Sequence, residues 1–367
     1  MSSLAITALT LSHFRSHKRS EMVFDGRPVA LVGPNGAGKT NVLEAISLMS
    51  PGRGLRRAVA EDLARKPEGL GWKITASVQG IAAAHDLEIS ADQGETRSVR
   101  IDGKATTQSM LGRVLRVLWL VPAMDRLWTE AAEGRRRFLD RVTLSFIPDH
   151  AEATLAYERA MRDRNRLLKD QITDARWYTV LEAQMAEQGA IIMTNRQRAL
   201  ARLAESQAQS DSIFPRAHLA LSNPEGTPDV PAQDLAAALA ENRRRDMAAG
   251  RTLIGPHRAD LTAVYAAKNT PADQCSTGEQ KALLISLILA NARALAADLG
   301  KAPVLLLDEV AAHLDTNRRA SLYDEICAMG AQAIMTGTEA ELFAALGARA
   351  QTLHVGDDDG ISRMIQT

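Results

Sequence analysis

Apolar and polar positions alternate with period two at the start of the chain. Leu4 to Leu11 has the texture of a strand, and Met22-Val23-Phe24, closed by Asp25-Gly26, reads as its hairpin partner. Val29 to Val32 is an uninterrupted apolar run, too short for a helix, and predicts a buried strand. Val42, Leu43 and Ile46 then fall on one side of a helix. Period two returns in Trp72 to Val78, His85 to Ser90 and Arg97 to Gly103, separated by Gly80 and Gln93-Gly94, which predicts an antiparallel meander. Val114 to Val121 is a further apolar run, stopped by Pro122.

After Pro122 the texture changes. From about Asp125 to Gly250, Ala, Leu, Arg, Glu and Gln dominate and strand signals are nearly absent, so a helical insertion is expected. Arg159, Arg162, Arg166 and Lys169 recur at three- and four-residue spacing, placing cations on one helical face. Glu158, Asp163 and Asp170 intersperse them, so the face reads as a DNA-binding stripe or simply as a solvated surface. A second helix carrying Trp177, Leu181, Met185 and Ile192 is expected to pack back on the first with that stripe as core. Ser222 to Pro231 is a breaker cluster, Asp234 to Arg245 resumes a helix, and Thr252 to Leu261 is strand-like. The division expected is 1–124, 125–250 and 251–367, with re-entry into the first domain near Thr252.

Composition adds limits. Lys plus Arg equal Asp plus Glu at 44 each, so nucleic-acid binding requires a local basic surface and not a field of the whole molecule. Two cysteines, Cys275 and Cys327, in no metal spacing suggest neither a disulfide framework nor a zinc site. The first residues lack a basic region followed by an apolar core, so no signal peptide is expected. The run Ala282 to Ala290 is far short of the ~20 residues that span a bilayer. The expectation is a soluble cytoplasmic protein without a membrane partner.

The chemistry concentrates in two places. Gly33-Pro34-Asn35-Gly36-Ala37-Gly38-Lys39-Thr40, between the buried strand and its helix, has each residue type of a phosphate-binding loop in order, and Asn41 follows. Backbone N–H groups there can turn around a β-phosphate, Lys39 can reach the β- and γ-phosphates, and the Thr40 hydroxyl can ligate Mg²⁺. The alternative is a glycine-rich turn that binds nothing. Downstream, Ser276-Thr277-Gly278-Glu279 opens an apolar helix, offering a hydroxyl and free N–H groups to a γ-phosphate, or only a helix cap. Val304 to Leu307 is an apolar strand ending in Asp308-Glu309. Asp308 is the expected Mg²⁺ holder through water, and Glu309 the group that polarises attacking water. Asp315 and the strand Ala333 to Thr338 complete the order of an ATP-binding cassette head. Such heads work as pairs, the signature serine of one copy facing the phosphate held by the other.

Across essentially its whole length the chain resembles the RecF family of SMC-like cassette ATPases. Phe14-Arg15, Gly38 to Asn41, Arg135-Arg136-Arg137-Phe138-Leu139-Asp140, Arg164 to Lys169, Gly255-Pro256-His257-Arg258 and Ser276 to Gln280 carry the resemblance. It implies an α/β fold: an ABC/SMC-type P-loop ATPase head with an antiparallel β subdomain and a helical arm. It also implies a slow, DNA-stimulated ATPase that forms an ATP-dependent homodimer and binds double-stranded or gapped DNA. In recombinational repair such proteins act with RecO and RecR to place RecA on single-stranded gaps, in the cytoplasm at the nucleoid. DNA-contact candidates are Arg56, Arg57, Arg135, Arg136, Arg137, Arg159, Arg162, Arg166 and Lys169. Cys275 departs from the usual Leu, Glu309 stands where the family often has Asp, and the switch strand carries Thr336 and Thr338 without a histidine. A Gln-loop residue is not assigned. Another chromosome-associated SMC-like ATPase, a transporter nucleotide-binding subunit and a P-loop kinase are the alternatives. The long non-heptad insertion argues against the first two, and the signature helix with paired carboxylates against the third.

Overall fold

The computed structural model describes residues 3–66, 68–224 and 230–365, so the centre of the expected breaker cluster, 225–229, lies outside them. The opening strand, β1 (Ala5–Phe14), pairs antiparallel with β2 (His17–Val23), and Phe14 opposite His17 puts the turn at Arg15-Ser16. This hairpin is tighter than its sequence suggests. The buried face of β2 is written with His17, Ser20 and Met22, so its period two is nearly invisible to a hydropathy reading. β3 (Val29–Val32) leads into α1 (Lys39–Ser47), followed by the short helix α2 (Ala60–Leu63). The meander is β4 (Trp72–Gln79), β5 (Ala84–Ala91), β6 (Ser98–Ile101) and β7 (Lys104–Thr106). A helix, α3 (Gln108–Val114), precedes β8 (Val117–Leu120), which shortens the apolar strand expected from Val114.

The helical stretch contains α4 (Ala132–Phe146), α5 (His150–Lys169) and α6 (Ala175–Ala208). β9 (Ala217–Ser222) interrupts it, against the expectation of an all-helical insertion; α7 (Leu235–Glu241) and α8 (Arg243–Ala249) follow. β9 forms because β10 (Asp260–Tyr265) pairs with it from Asp260–Ser222 to Tyr265–Ala217, with β11 (Thr270–Pro271) on β10's other edge. The buried line of α6 runs Tyr178, Glu182, Met185, Gly189 and Ile192. Trp177, expected in the core, is therefore one residue out of phase and 65% exposed, because Glu182 disguises the true stripe. The chain closes with α9 (Thr277–Leu299), β12 (Val304–Leu307), α10 (Thr316–Ala328), β13 (Ala333–Gly337), β14 (Gln351–Asp358) and β15 (Ile361–Ile365).

Two compact units result. The first holds the chain up to Asp125, Gln209–Pro215 and the chain from Lys281 on; the second holds Arg126–Ala208 and Arg216–Gln280. Residues 251–280 thus belong with the second unit, not with the nucleotide-binding head as expected, since β10 and β11 are tied to β9.

In the first unit, one sheet has the order β2-β1-β4-β5-β6-β7 and is antiparallel; the other has the order β15-β14-β3-β13-β12-β8, parallel from β14 to β8. A single apolar core joins Leu9, Leu11, Phe14 and Ile74 to Leu43, Ile46, Leu306 and Ile334. Buried Gln332 ties the sheets together, accepting from the Ile6 backbone N–H at 2.8 Å and donating to the Ile6 carbonyl at 2.9 Å. α9 is long and apolar enough to cross a membrane, but 72% of its most apolar window is buried inside the protein, as in a core helix.

Candidate nucleotide site

β3, β12 and β13 run parallel, so the segments that follow them emerge at one edge of the sheet, the usual ligand-binding edge of an open α/β fold. At the end of β3 the chain must pass close to β14: a Cβ on Gly33 would lie 2.0 Å from the Val355 carbonyl oxygen, so only glycine fits. Gly38 takes φ +97°, and a Cβ there would lie 2.1 Å from Ser362 Oγ and 3.0 Å from His17 Nε2. His17 is buried under this turn; its Nε2 lies 3.2 Å from the Gly38 carbonyl and its Nδ1 2.8 Å from Ser20 Oγ. Nε2–H therefore donates to the loop, and burial lowers the ring's pKa below its ordinary value while this hydrogen bond to Gly38 opposes the shift.

Lys39 is buried, and its Nζ donates to the Gly33 carbonyl at 2.7 Å and the Pro34 carbonyl at 2.8 Å. Burial lowers the ammonium pKa, while the carboxylates of Glu309 and Asp308 oppose the shift. The next side chain, Thr40, donates from Oγ1 to Asp308 Oδ1 at 2.9 Å. Thr336 Oγ1 donates to the same oxygen at 2.8 Å and accepts from the Glu309 backbone N–H at 2.9 Å. Glu309 has φ +54°, a left-handed conformation unusual for this residue and typical of side chains held for function. The Thr40 hydroxyl and Asp308 carboxylate are hard oxygen donors. They suit Mg²⁺, which takes one or two carboxylates together with substrate phosphates and water.

A further ion pair supports the loop helix. Glu44 on α1 is 1% exposed and accepts from Arg15 at 2.7 and 2.9 Å and from Arg56 at 3.0 Å. Arg56 also reaches Asn41 Oδ1 at 2.8 Å, and Asn41 Nδ2 donates to Ser16 Oγ at 2.7 Å. Arg56 is thus bound to the loop helix, although its side chain remains 42% exposed; Arg57 is exposed at φ +56°. In the sequence Phe14-Arg15 reads only as a family motif, and the Arg15–Glu44 pair is not foreseen there.

Ser276 and Gly278 lie in the second unit. Ser276 Oγ and backbone N–H both donate to Glu279 Oε2 at 2.9 Å, the capping-box arrangement at the start of α9. Lys268, followed by these two donors, holds the half-buried Glu279 carboxyl down to about 2. A Cβ on Gly278 would meet nothing within 4 Å, so this turn presents open backbone. Asp315, in the first unit, caps α10 by accepting from the Arg318 N–H at 2.9 Å.

Of the remaining cation candidates, Arg135 is engaged within the second unit. It pairs with Asp260 at 2.7 Å and donates to the carbonyl of Glu130 at 2.6 Å, which makes it a strut between α4 and β10. Arg136 is partly buried, and desolvation lowers its pKa; Arg137 is exposed and paired with Glu133. Arg159, Arg162, Arg166 and Lys169 are all exposed, with no ion pair to a described residue.

The RecF/RecN/SMC N terminal domain family model matches residues 5–359. The DNA replication and repair protein RecF of Allorhizobium ampelinum is 48% identical over 365 residues, covering 96% of this chain and 97% of that protein. The protein of the same name from Caulobacter vibrioides is 46% identical over 378 residues, with 97% and 98% covered. Among solved structures, the recombination mediator protein RecF-ATPrS of the RecFOR pathway superposes with a TM-score of 0.84 at 22% identity, over 100% of this chain and 99% of that one. The Pyrococcus furiosus Smc head domain bound to the C-terminal domain of ScpA gives 0.55 at 18% identity, over 99% and 96%.

Proposed function

The chain belongs to the RecF family of SMC-like ATPases, and on that premise we propose that it is an ATP-switched DNA-binding protein of replication and recombinational repair. The observation that carries this reading is the convergence of the Thr40 and Thr336 hydroxyls on Asp308 beside the Lys39 loop, with the Glu309 backbone N–H donating to Thr336. Lys39 and the N–H groups of Gly33 to Thr40 bind the phosphates of ATP; Thr40 and Asp308 hold Mg²⁺, which neutralises phosphate charge when bound; Glu309 orients water. Lys39 must exchange the Gly33 and Pro34 carbonyls for phosphate oxygens, so nucleotide entry reshapes the loop's own hydrogen bonds.

Ser276, Gly278 and Asp315 are the groups through which a second copy completes the site, and hydrolysis, slow and stimulated by DNA, releases the pair. The open backbone at Gly278 favours this reading. DNA in double-stranded or gapped form is the ligand of the dimer, RecO and RecR its partners and RecA the protein placed downstream, in the cytoplasm at the nucleoid. Family membership sets aside the transporter-subunit and kinase readings.

Lys39→Arg tests the site: it keeps the charge but replaces a compact ammonium with a planar fork. ATP-dependent dimerisation and hydrolysis are expected to disappear in sedimentation and phosphate-release assays; a variant that dimerises and hydrolyses like the parent rules out this assignment.

A further inference from the structure

The second unit carries a basic surface built from two segments far apart in sequence. On α5, Arg159, Arg162, Arg166 and Lys169 are exposed and unpaired among the described residues, and at 100° per residue they fall within about 80° of arc. Arg244 and Arg245 on α8, and Arg251 just beyond it, are likewise exposed and unpaired among the described residues.

Buried contacts fix one segment on the other. Arg164 of α5 donates to Asp246 of α8 at 2.7 Å, and Asn165 Oδ1 accepts from the backbone N–H and the hydroxyl of Thr252, both at 2.8 Å. Gly250 lies against Lys169: a Cβ on it would sit 3.7 Å from Lys169 Cγ. Arg251 is therefore held beside Lys169, with Arg162 and Arg166 flanking Asn165 on the same helix. Glu152, Glu158, Asp163, Asp170 and Glu241 are the carboxylates on or beside these segments outside the buried pairs, against seven exposed cations, which leaves a local excess of positive charge on a chain whose net charge is zero.

We propose that this two-segment patch is where the phosphate backbone of duplex DNA docks. The inference rests on the DNA-binding reading above and adds its place on the molecule. Free guanidiniums match phosphate oxygens bidentately. Apart from Leu155, the α5 face offers no exposed large apolar side chain for a membrane or an apolar protein groove, and backbone phosphates require only fixed cations. Arg164 and Asn165 cost the patch no positive charge at the surface; they hold its two halves in register.

The test is fluorescence anisotropy of a labelled random-sequence duplex against the full chain with ATP and Mg²⁺ over a salt series. In Arg162→Glu/Arg166→Glu/Arg251→Glu, affinity is expected to fall at least ~10-fold near 0.1 M salt, and the log–log salt slope to shrink by about 2 to 3, one phosphate contact per cation. The milder Arg159→Gln/Lys169→Gln pair is expected to shrink the slope by about 1 to 2 with an unchanged melting temperature, separating contact loss from misfolding. Parent-like affinity and slope in both variants overturn the proposal. So does binding to phosphatidylserine vesicles that both variants lose while keeping duplex affinity. A parent chain that binds no duplex at all sinks the DNA-binding reading itself.

Discussion

Asp308 accepts from two hydroxyls, one on the phosphate loop and one on β13, while its neighbour Glu309 is held in a left-handed conformation with its backbone N–H on the same Thr336. Glu309 is the group proposed to orient the attacking water. Glu309→Gln keeps size and polarity but removes the charge that accepts a proton. ATP hydrolysis is expected to fall ~10²- to 10⁴-fold with nucleotide affinity retained. A hydrolysis rate within a factor of two of the parent contradicts the role. Lys39, Thr40, Asp308 and Glu309 were legible in the sequence because each sits in a short contiguous motif whose chemistry dictates residue type. Arg135 was not, since its partner Asp260 lies 125 positions away and nothing local distinguishes a strut from a DNA contact.

At the scale of elements, three of the motifs that signalled the family, around Asp140, Arg164 and Pro256, build the second unit's polar core. Arg164 is fully buried and binds Glu182, Asp246, Thr252 and the Leu239 carbonyl. Arg196 clasps Asp140 at 2.7 and 2.9 Å and donates to the Pro256 carbonyl at 2.7 Å. Removing Arg164 leaves the buried Asp246 without its counter-charge and Glu182 with Arg243 alone, so Arg164→Ala is expected to destabilise this unit by about 3–5 kcal/mol, read by chemical denaturation. A loss below about 1 kcal/mol contradicts the account.

His257 belongs to the same lattice: its Nε2–H donates to the Thr252 carbonyl at 3.2 Å and its Nδ1 lies 2.8 Å from the Tyr157 hydroxyl. Burial, joined by the positive charges of Arg258, Arg136 and Arg196, lowers its pKa from 6.5 to about 4. The folded value is the lower one, so this contribution is complete above pH 6.5 and is lost as pH falls toward 4, on the order of 3 kcal/mol. Denaturation of the parent and of His257→Asn at pH 7 and pH 4.5 checks this. The parent should lose more stability than the variant on acidification, and equal losses exclude the histidine as the source. The sequence displayed these motifs but not their partners, and β9 escaped notice because only its pairing with β10 makes it a strand.

For the whole molecule, zero net charge means that assembly depends on local surfaces, and two of these stand out: the open Ser276–Gly278 turn and the basic patch on α5 and α8. The fold class was readable because the parallel-strand runs and the phosphate loop are local. The division into units was not, because residues 251–280 are placed by pairing with β9 and not by any change of composition at 250. Ser276, which caps α9 within its own chain, is proposed to face the phosphates of a second copy.

Sedimentation velocity with and without ATP and Mg²⁺, on the parent and on Ser276→Arg, tests this most directly. ATP is expected to convert the parent from monomer to dimer, while Ser276→Arg binds nucleotide with parent-like affinity and stays monomeric. A parent that never dimerises with ATP, or a Ser276→Arg variant that dimerises as the parent does, contradicts it.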